Sequence, residues 1–313
     1  MQTDAANFEA LAFMCRCYEP GCEVKIDFAP AGWMETIRKD KVVFNGWSGE
    51  FGKNTSGCNA YLRFLYRAYV FGKAYDWATY TNEAKKEIDR FVALLKTSKP
   101  SNNIPDKKAE YKHKKGYEHE LEAKLTYSDK GRQHLSDIYN RKTGAWLEII
   151  HNQLPNGLFD TGLSKKSSES KRIFTTGFYD IWGVDSDGNF CIFELKKPGN
   201  NKMGVLSELL FYAEYAYYVL LNKERLHEPS QHKNYRGYED LYKAVHDGKI
   251  NSIKALFLLA EGDGHRYINK NITNLLDEMN QNSMNIKFDF LYYSKNEIDP
   301  IDLSELKGDI VVL

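Results

Sequence analysis

The stretch from Gly177 to Gly199 constrains the fold more than any other. Two apolar arms, 178–184 and 190–195, flank the polar knot Asp185-Ser186-Asp187-Gly188-Asn189. Aromatic and β-branched residues fill both arms, and Gly188 stands where a three-residue loop needs a left-handed residue, so the segment reads as an antiparallel hairpin. If Ser186-Asp187-Gly188 is the loop, Asp185 faces Asn189, and counting back along both arms sets Asp180 opposite Glu194. Side chains paired in this way have Cβ atoms roughly 4.5–5.5 Å apart, and two carboxylates that close destabilise the pair unless something positive lies between them. A divalent metal is one such group. Lys196 shares the face of Glu194 by the period of two along a strand, and Pro198-Gly199 ends the strand just beyond. The hairpin therefore aims two acids and an amine at one point. A solvated hairpin carrying an ordinary Glu-x-Lys pair is the alternative left open.

Asp180, followed by Glu194-Leu195-Lys196 at the end of an apolar strand, resembles the signature of the PD-(D/E)xK, or restriction-endonuclease-like, nuclease superfamily. The resemblance implies an α/β (α+β) fold with a restriction-endonuclease-like mixed β-sheet core flanked by helices. It also implies a metal-dependent nuclease that hydrolyses phosphodiester bonds, with DNA ahead of RNA as partner and room for a homodimer. Asp180, Glu194 and the carbonyl of Leu195 would hold Mg²⁺ or Mn²⁺. Lys196 would position or deprotonate the attacking water. The alternative is an inactive nuclease-like module that binds nucleic acid or a protein.

Flanking segments extend the resemblance. Residues 203–221 place Leu206, Leu209, Leu210, Ala213, Ala216, Tyr217 and Leu220 at helical spacing, which predicts a buried helix. Its polar exceptions Glu208, Tyr212 and Tyr215 fall on one face. They resemble the Gln-x-x-x-Tyr element of several branches, with Glu208 in place of Gln. That implies substrate contact for Glu208 and Tyr212, beside Lys197 and Lys202; tyrosines packed by their rings are the alternative. Upstream, Tyr117, Leu121 and Leu125 make an apolar helical stripe to which Glu118 lies closest. The segment resembles the opening helix of Holliday-junction resolvases, implying Glu118 as a third acid, with Glu120 and Glu122 behind it and Glu148 as a substitute. Gln153 would reach the cleft if its strand borders the hairpin. Strands over 253–259 and 286–293 and a helix over 271–279 complete the order helix, strand, hairpin, helix, strand. Asp263 and His265 suit either a second acid-base group or, more simply, a turn.

The polar run 97–108 marks a boundary near residue 105, giving an N-terminal α+β accessory region over 1–105 and the nuclease-like domain over 106–313. Before it come short strands between 33 and 57, a helix over 59–73, and a helix capped by Asn82 and running to 96. The 59–73 helix interleaves Arg63, Arg67 and Lys73 with aromatic rings, suited either to a phosphate backbone or to plain packing with a solvated basic edge. Lys165, Lys166 and Lys171 lie in the polar stretch 161–171. Lys plus Arg equals Asp plus Glu at 43 each, so nucleic-acid contact has to come from a local patch and not from a whole-molecule field. Cys15, Cys17, Cys22 and Cys58 have thiolates suited to zinc, but lack paired Cys-x2-Cys spacing and fit small buried hydrophobes better. An odd count of 5 cysteines argues against a disulfide framework. No basic leader begins the chain, and no apolar run reaches the ~18 residues of a membrane span. The expectation is a cytoplasmic protein with no membrane partner.

Overall fold

The computed structural model describes residues 7–27, 56–98, 100–102, 116–159, 173–174, 177–198, 204–222, 225–226, 228–229, 235–262, 270–283 and 285–301. In chain order the elements are α1 (Asn7–Tyr18), β1 (Val24–Ile26), α2 (Ser56–Ala74), β2 (Ala78–Tyr80), α3 (Asn82–Ser98), β3 (Ser101–Asn102), α4 (Tyr117–Tyr127) and α5 (Asp129–Thr143). They continue with β4 (Leu147–Pro155), β5 (Leu158–Phe159), β6 (Phe178–Asp185), β7 (Asn189–Leu195), α6 (Gly204–Leu220), α7 (Tyr238–His246), β8 (Ser252–Ala260), α8 (Lys270–Asn282) and β9 (Ile286–Tyr293). No described helix is long and apolar enough to cross a membrane.

The chain folds as an α+β protein around a mixed five-stranded sheet of order β4-β6-β7-β8-β9. The β4/β6 and β6/β7 pairs are antiparallel, whereas β7/β8 and β8/β9 are parallel. Parallel neighbours need a crossover, which α6 and α7 supply before β8 and α8 supplies before β9. The hairpin forms as its sequence requires. Gly188 takes φ +81°, its N–H donates to the Asp185 carbonyl at 3.0 Å, and the Asp185 carboxylate accepts the Asp187 and Asn189 N–H groups at 3.1 and 2.8 Å.

The period of two divides the hairpin between two cores. Trp182, Val184, Phe190, Ile192, Ala255 and Phe257 pack toward α6 through Leu206, Leu209 and Leu210. Ile181, Cys191, Phe193, Leu195, Leu256 and Leu258 pack toward α4 and α5 through Leu121, Leu125, Leu135 and Tyr139. Every residue of β7 is buried because helices cover both of its faces. Each large apolar side chain so buried contributes about 1.5–3 kcal/mol.

The described part of residues 1–105 has no core of its own. Phe13, Leu62, Leu65, Phe71, Tyr75 and Phe91 belong to the same apolar cluster as α6 and the sheet. Arg67 of α2 grips Glu9 of α1 through two nitrogens at 2.8 and 2.9 Å and reaches Ser207 of α6 at 3.0 Å. Part of the expected linker is also tied down, since Ser101 and Asn102 pair with Phe159 and Leu158. The cap of α3 is Thr81 and not Asn82: its hydroxyl accepts the Ala84 N–H at 3.3 Å. The boundary at 105, the strands expected between 33 and 57, the 161–171 stretch with Lys165, Lys166 and Lys171, and Lys202, Asp263 and His265 lie outside the described residues, as does the side chain of Cys58.

Candidate active site

Pairing of β6 with β7 runs from Val184↔Phe190 to Ile181↔Phe193, and one further step sets Asp180 level with Glu194, at the end of the sheet remote from the hairpin loop. There the strands exchange a side-chain contact: Asp180 Oδ2 accepts the Leu195 N–H at 3.1 Å. Glu194 is only 3% exposed. Its Oε1 accepts the Lys196 ammonium at 2.5 Å, and its Oε2 is buried without a hydrogen-bond partner. A buried acceptor left unmade costs about 1–3 kcal/mol, more when charged. The pair therefore holds an oxygen that lacks a donor or a cation.

The acids outnumber the amine. Burial first, and then the Glu122 carboxylate, push the Asp180 carboxyl up to about 8. Burial first, and then Asp180, hold Glu194 well above the usual carboxylate range. Burial works against the Lys196 ammonium, but Glu194, Asp180 and Glu208 outweigh it and keep the amine charged. Such a site takes up protons or a further cation.

Helix α6 forms the next wall. Glu208 Oε2 lies 4.0 Å from Lys196 Nζ, and its Oε1 accepts the Tyr212 hydroxyl at 3.1 Å. Burial, followed by Glu208, holds the Tyr212 hydroxyl well above its ordinary pKa. Tyr215 instead donates to the Gly157 carbonyl at 2.8 Å inside the core, which is a packing role.

Helix α4 contributes Glu122 from inside and Glu118 at the rim. Glu118 Oε1 accepts the Lys197 backbone N–H at 3.0 Å, while Lys197 itself is exposed. Glu122, one helical turn on and 2% exposed, accepts Gln153 Nε2 at 2.6 Å and lies 3.2 Å from His119 Nδ1. The sequence stripe ranked these acids in the opposite order because it counted Tyr117 as inward. Tyr117 is 40% exposed, so the buried face rotates onto Leu121, Glu122 and Leu125. The acid one turn after Glu118 and next to Leu121 was the signal for Glu122.

Gln153 does border the hairpin. It falls between the pairs Asn152↔Ile181 and Leu154↔Tyr179, level with Asp180. Its φ of 54° is left-handed, a conformation that costs a side-chain-bearing residue about 1–2 kcal/mol. The surroundings hold it there: Arg236 donates to its carbonyl at 2.5 Å, and its own amide holds Glu122. Residues kept in such conformations cluster at functional sites. Glu148 does not reach the acids. It lines a separate cleft of about 490 Å³ with Asp185, Ser186 and Asp187, at the loop end of the hairpin.

The side chains of Asp180, Glu194, Lys196, Glu208 and Tyr212 thus meet at one end of the sheet, with Glu122 and Gln153 behind Asp180. For a hard divalent cation the fit is made by two carboxylates, one carrying an orphaned oxygen, with the Lys196 ammonium as the positive group already in place. Among the described residues no group of three or more His, Cys, Asp or Glu side chains is placed to hold a metal, at this site or around Cys15, Cys17 and Cys22, which are free thiols. Scans against protein-family models, curated proteins and solved structures return no match to this chain.

Proposed function

We propose that this chain is a metal-dependent nuclease with a restriction-endonuclease-like core, cutting phosphodiester bonds of nucleic acid, DNA ahead of RNA. The observation that carries the reading is the Asp180–Glu194 juxtaposition, with Glu194 Oε2 orphaned in a buried site next to Lys196. The order of elements supports it: helices α4 and α5, three antiparallel strands, then the α6 crossover into a parallel strand.

Asp180, Glu194 and the Leu195 carbonyl would hold Mg²⁺ or Mn²⁺. Such an ion, once bound, lowers the pKa of a bound water and offsets charge on the attacked phosphate. The chain's own residues do the rest. Lys196, held as an ammonium by its acidic neighbours, stabilises negative charge developing on the phosphate and orients the water. Glu208 gives that ammonium a second carboxylate, and Tyr212 fixes Glu208. Glu122 sets the charge behind Asp180, and Gln153 sets Glu122. With a net charge of zero, local groups have to bind the substrate backbone, Lys197 at the exposed rim among them.

The test is nicking of supercoiled plasmid and of labelled RNA with Mg²⁺ or Mn²⁺ present. The wild type is expected to cut, and Asp180→Ala or Lys196→Ala to lose about 10²–10⁴-fold while remaining folded. Cutting that survives either substitution removes the assignment. Nucleic-acid binding without any cutting would favour the inactive-module alternative.

A further inference from the structure

The Lys196 ammonium stands between two carboxylates, 2.5 Å from Glu194 Oε1 and 4.0 Å from Glu208 Oε2. They differ in depth: the Glu194 side chain is 3% exposed and that of Glu208 37%. A cation held by Asp180 and Glu194 and an ammonium resting on Glu194 compete for the same negative charge. A buried charge deprived of its partner is strongly destabilising unless another partner takes over. Asp180 is no alternative, because it would hold the same cation. Glu208 is placed for the task. Its Oε1 accepts the Tyr212 hydroxyl at 3.1 Å, and the Tyr212 ring packs edge-on against Tyr179 with centroids 5.5 Å apart, so Oε2 is the oxygen left to Lys196. Charge-assisted N–H···O bonds close at about 2.7–2.9 Å, so a shift of ~1 Å completes the second pair.

We propose that Lys196 is an exchangeable counter-ion: when a divalent cation takes Glu194, the ammonium passes to Glu208, which makes Glu208 a positioning residue for the amine. The inference rests on the nuclease reading and deepens it. Without a cation, Lys196 neutralises Glu194 inside the sheet end. With one, the same ammonium stands on the less buried acid, toward an incoming phosphate. Loading of the cation and delivery of the amine become one event, and the affinity for the cation depends on whether the displaced ammonium is received.

The experiment titrates Mn²⁺ calorimetrically into wild type, Glu208→Gln, Lys196→Met and the double variant. Glutamine keeps the shape and an acceptor oxygen at position 208 but carries no charge. Glu208→Gln should weaken Mn²⁺ binding about tenfold. In the Lys196→Met background there is no ammonium to receive, and the same substitution should change the affinity less than about twofold. An equal loss in both backgrounds would mean that Glu208 acts on the cation by its charge alone, and would overturn the proposal, as would an unchanged affinity in Glu208→Gln. Wild-type crystals grown with Mn²⁺ decide the matter even if Lys196→Met fails to fold. Lys196 Nζ should lie within about 3 Å of Glu208 Oε2 and clear of Glu194. Manganese bound at Asp180 and Glu194 with Lys196 still on Glu194 would sink the exchange and leave the nuclease reading standing. No Mn²⁺ binding at all would sink both.

Discussion

Replacing Asp180 with asparagine tests the electrostatics of the site without reference to turnover. In the metal-free protein, burial and next the Glu122 carboxylate push Asp180 from 3.8 up to about 8. A folded-state pKa above the unfolded one means that the native chain keeps a proton the unfolded chain has released. This contribution to stability is therefore full below pH ~4 and is lost as pH rises through about 8. At ~1.4 kcal/mol per unit, the shift sets a ceiling of about 6 kcal/mol. The neighbouring ammonium and partial exposure of Asp180 bring the expected effect to about 1–3 kcal/mol. Asparagine keeps an oxygen for the Leu195 N–H and carries no charge. Because Asp180 is the second cause of the raised Glu194 pKa, the substitution also eases that carboxyl. Urea unfolding in the presence of chelator should show Asp180→Asn more stable than wild type by about 1–3 kcal/mol near pH 9, and within about 1 kcal/mol near pH 5. Excess Mn²⁺ should reverse the order, adding about 2.7 kcal/mol to the wild type at a hundredfold Kd and little to the variant. Parallel pH profiles for the two proteins would mean that Asp180 does not keep a proton in the folded chain that the unfolded chain releases.

Three further outcomes rest on named contacts. Lys196→Met leaves Glu194 buried without its cation and should cost about 3–5 kcal/mol in thermal unfolding, growing with pH; a cost below about 1 kcal/mol would contradict the ion pair. Arg67→Met strands Glu9, 1% exposed, and should cost a similar 3–5 kcal/mol in chemical denaturation, because the pair ties α1 and α2 to α6. Gln153→Gly should be more stable than Gln153→Ala by about 1 kcal/mol, since both lose the Glu122 contact but only glycine is at ease at φ 54°. Equal stabilities would mean that the backbone there is not left-handed.

The hairpin was legible because its information is local: a Gly in the loop, two apolar arms and a fixed cross-strand sum set Asp180 against Glu194 before any tertiary contact is known. The α6 helix was legible from its period. Glu122 stands behind Glu118 in the sequence reading because the choice between inward and outward faces of α4 turns on Tyr117, whose exposure is a tertiary outcome. The left-handed Gln153 depends on Arg236, which is distant in sequence and itself has φ 54°. No propensity announces such a pairing. Residues 1–105 read as a separate region because the polar run 97–108 looks like a linker. Phe71 and Phe91, N-terminal to that run, are buried in one cluster with Leu209 and Phe211 of α6, C-terminal to it, so a polar run here does not separate two cores.

Anomalous diffraction from crystals grown with Mn²⁺ shows whether Asp180 and Glu194 together hold a divalent cation. A manganese peak bounded by the Asp180 and Glu194 carboxylates is expected, absent from Glu194→Gln crystals grown in the same way. An empty site with Lys196 still on Glu194, or a peak elsewhere, would contradict it.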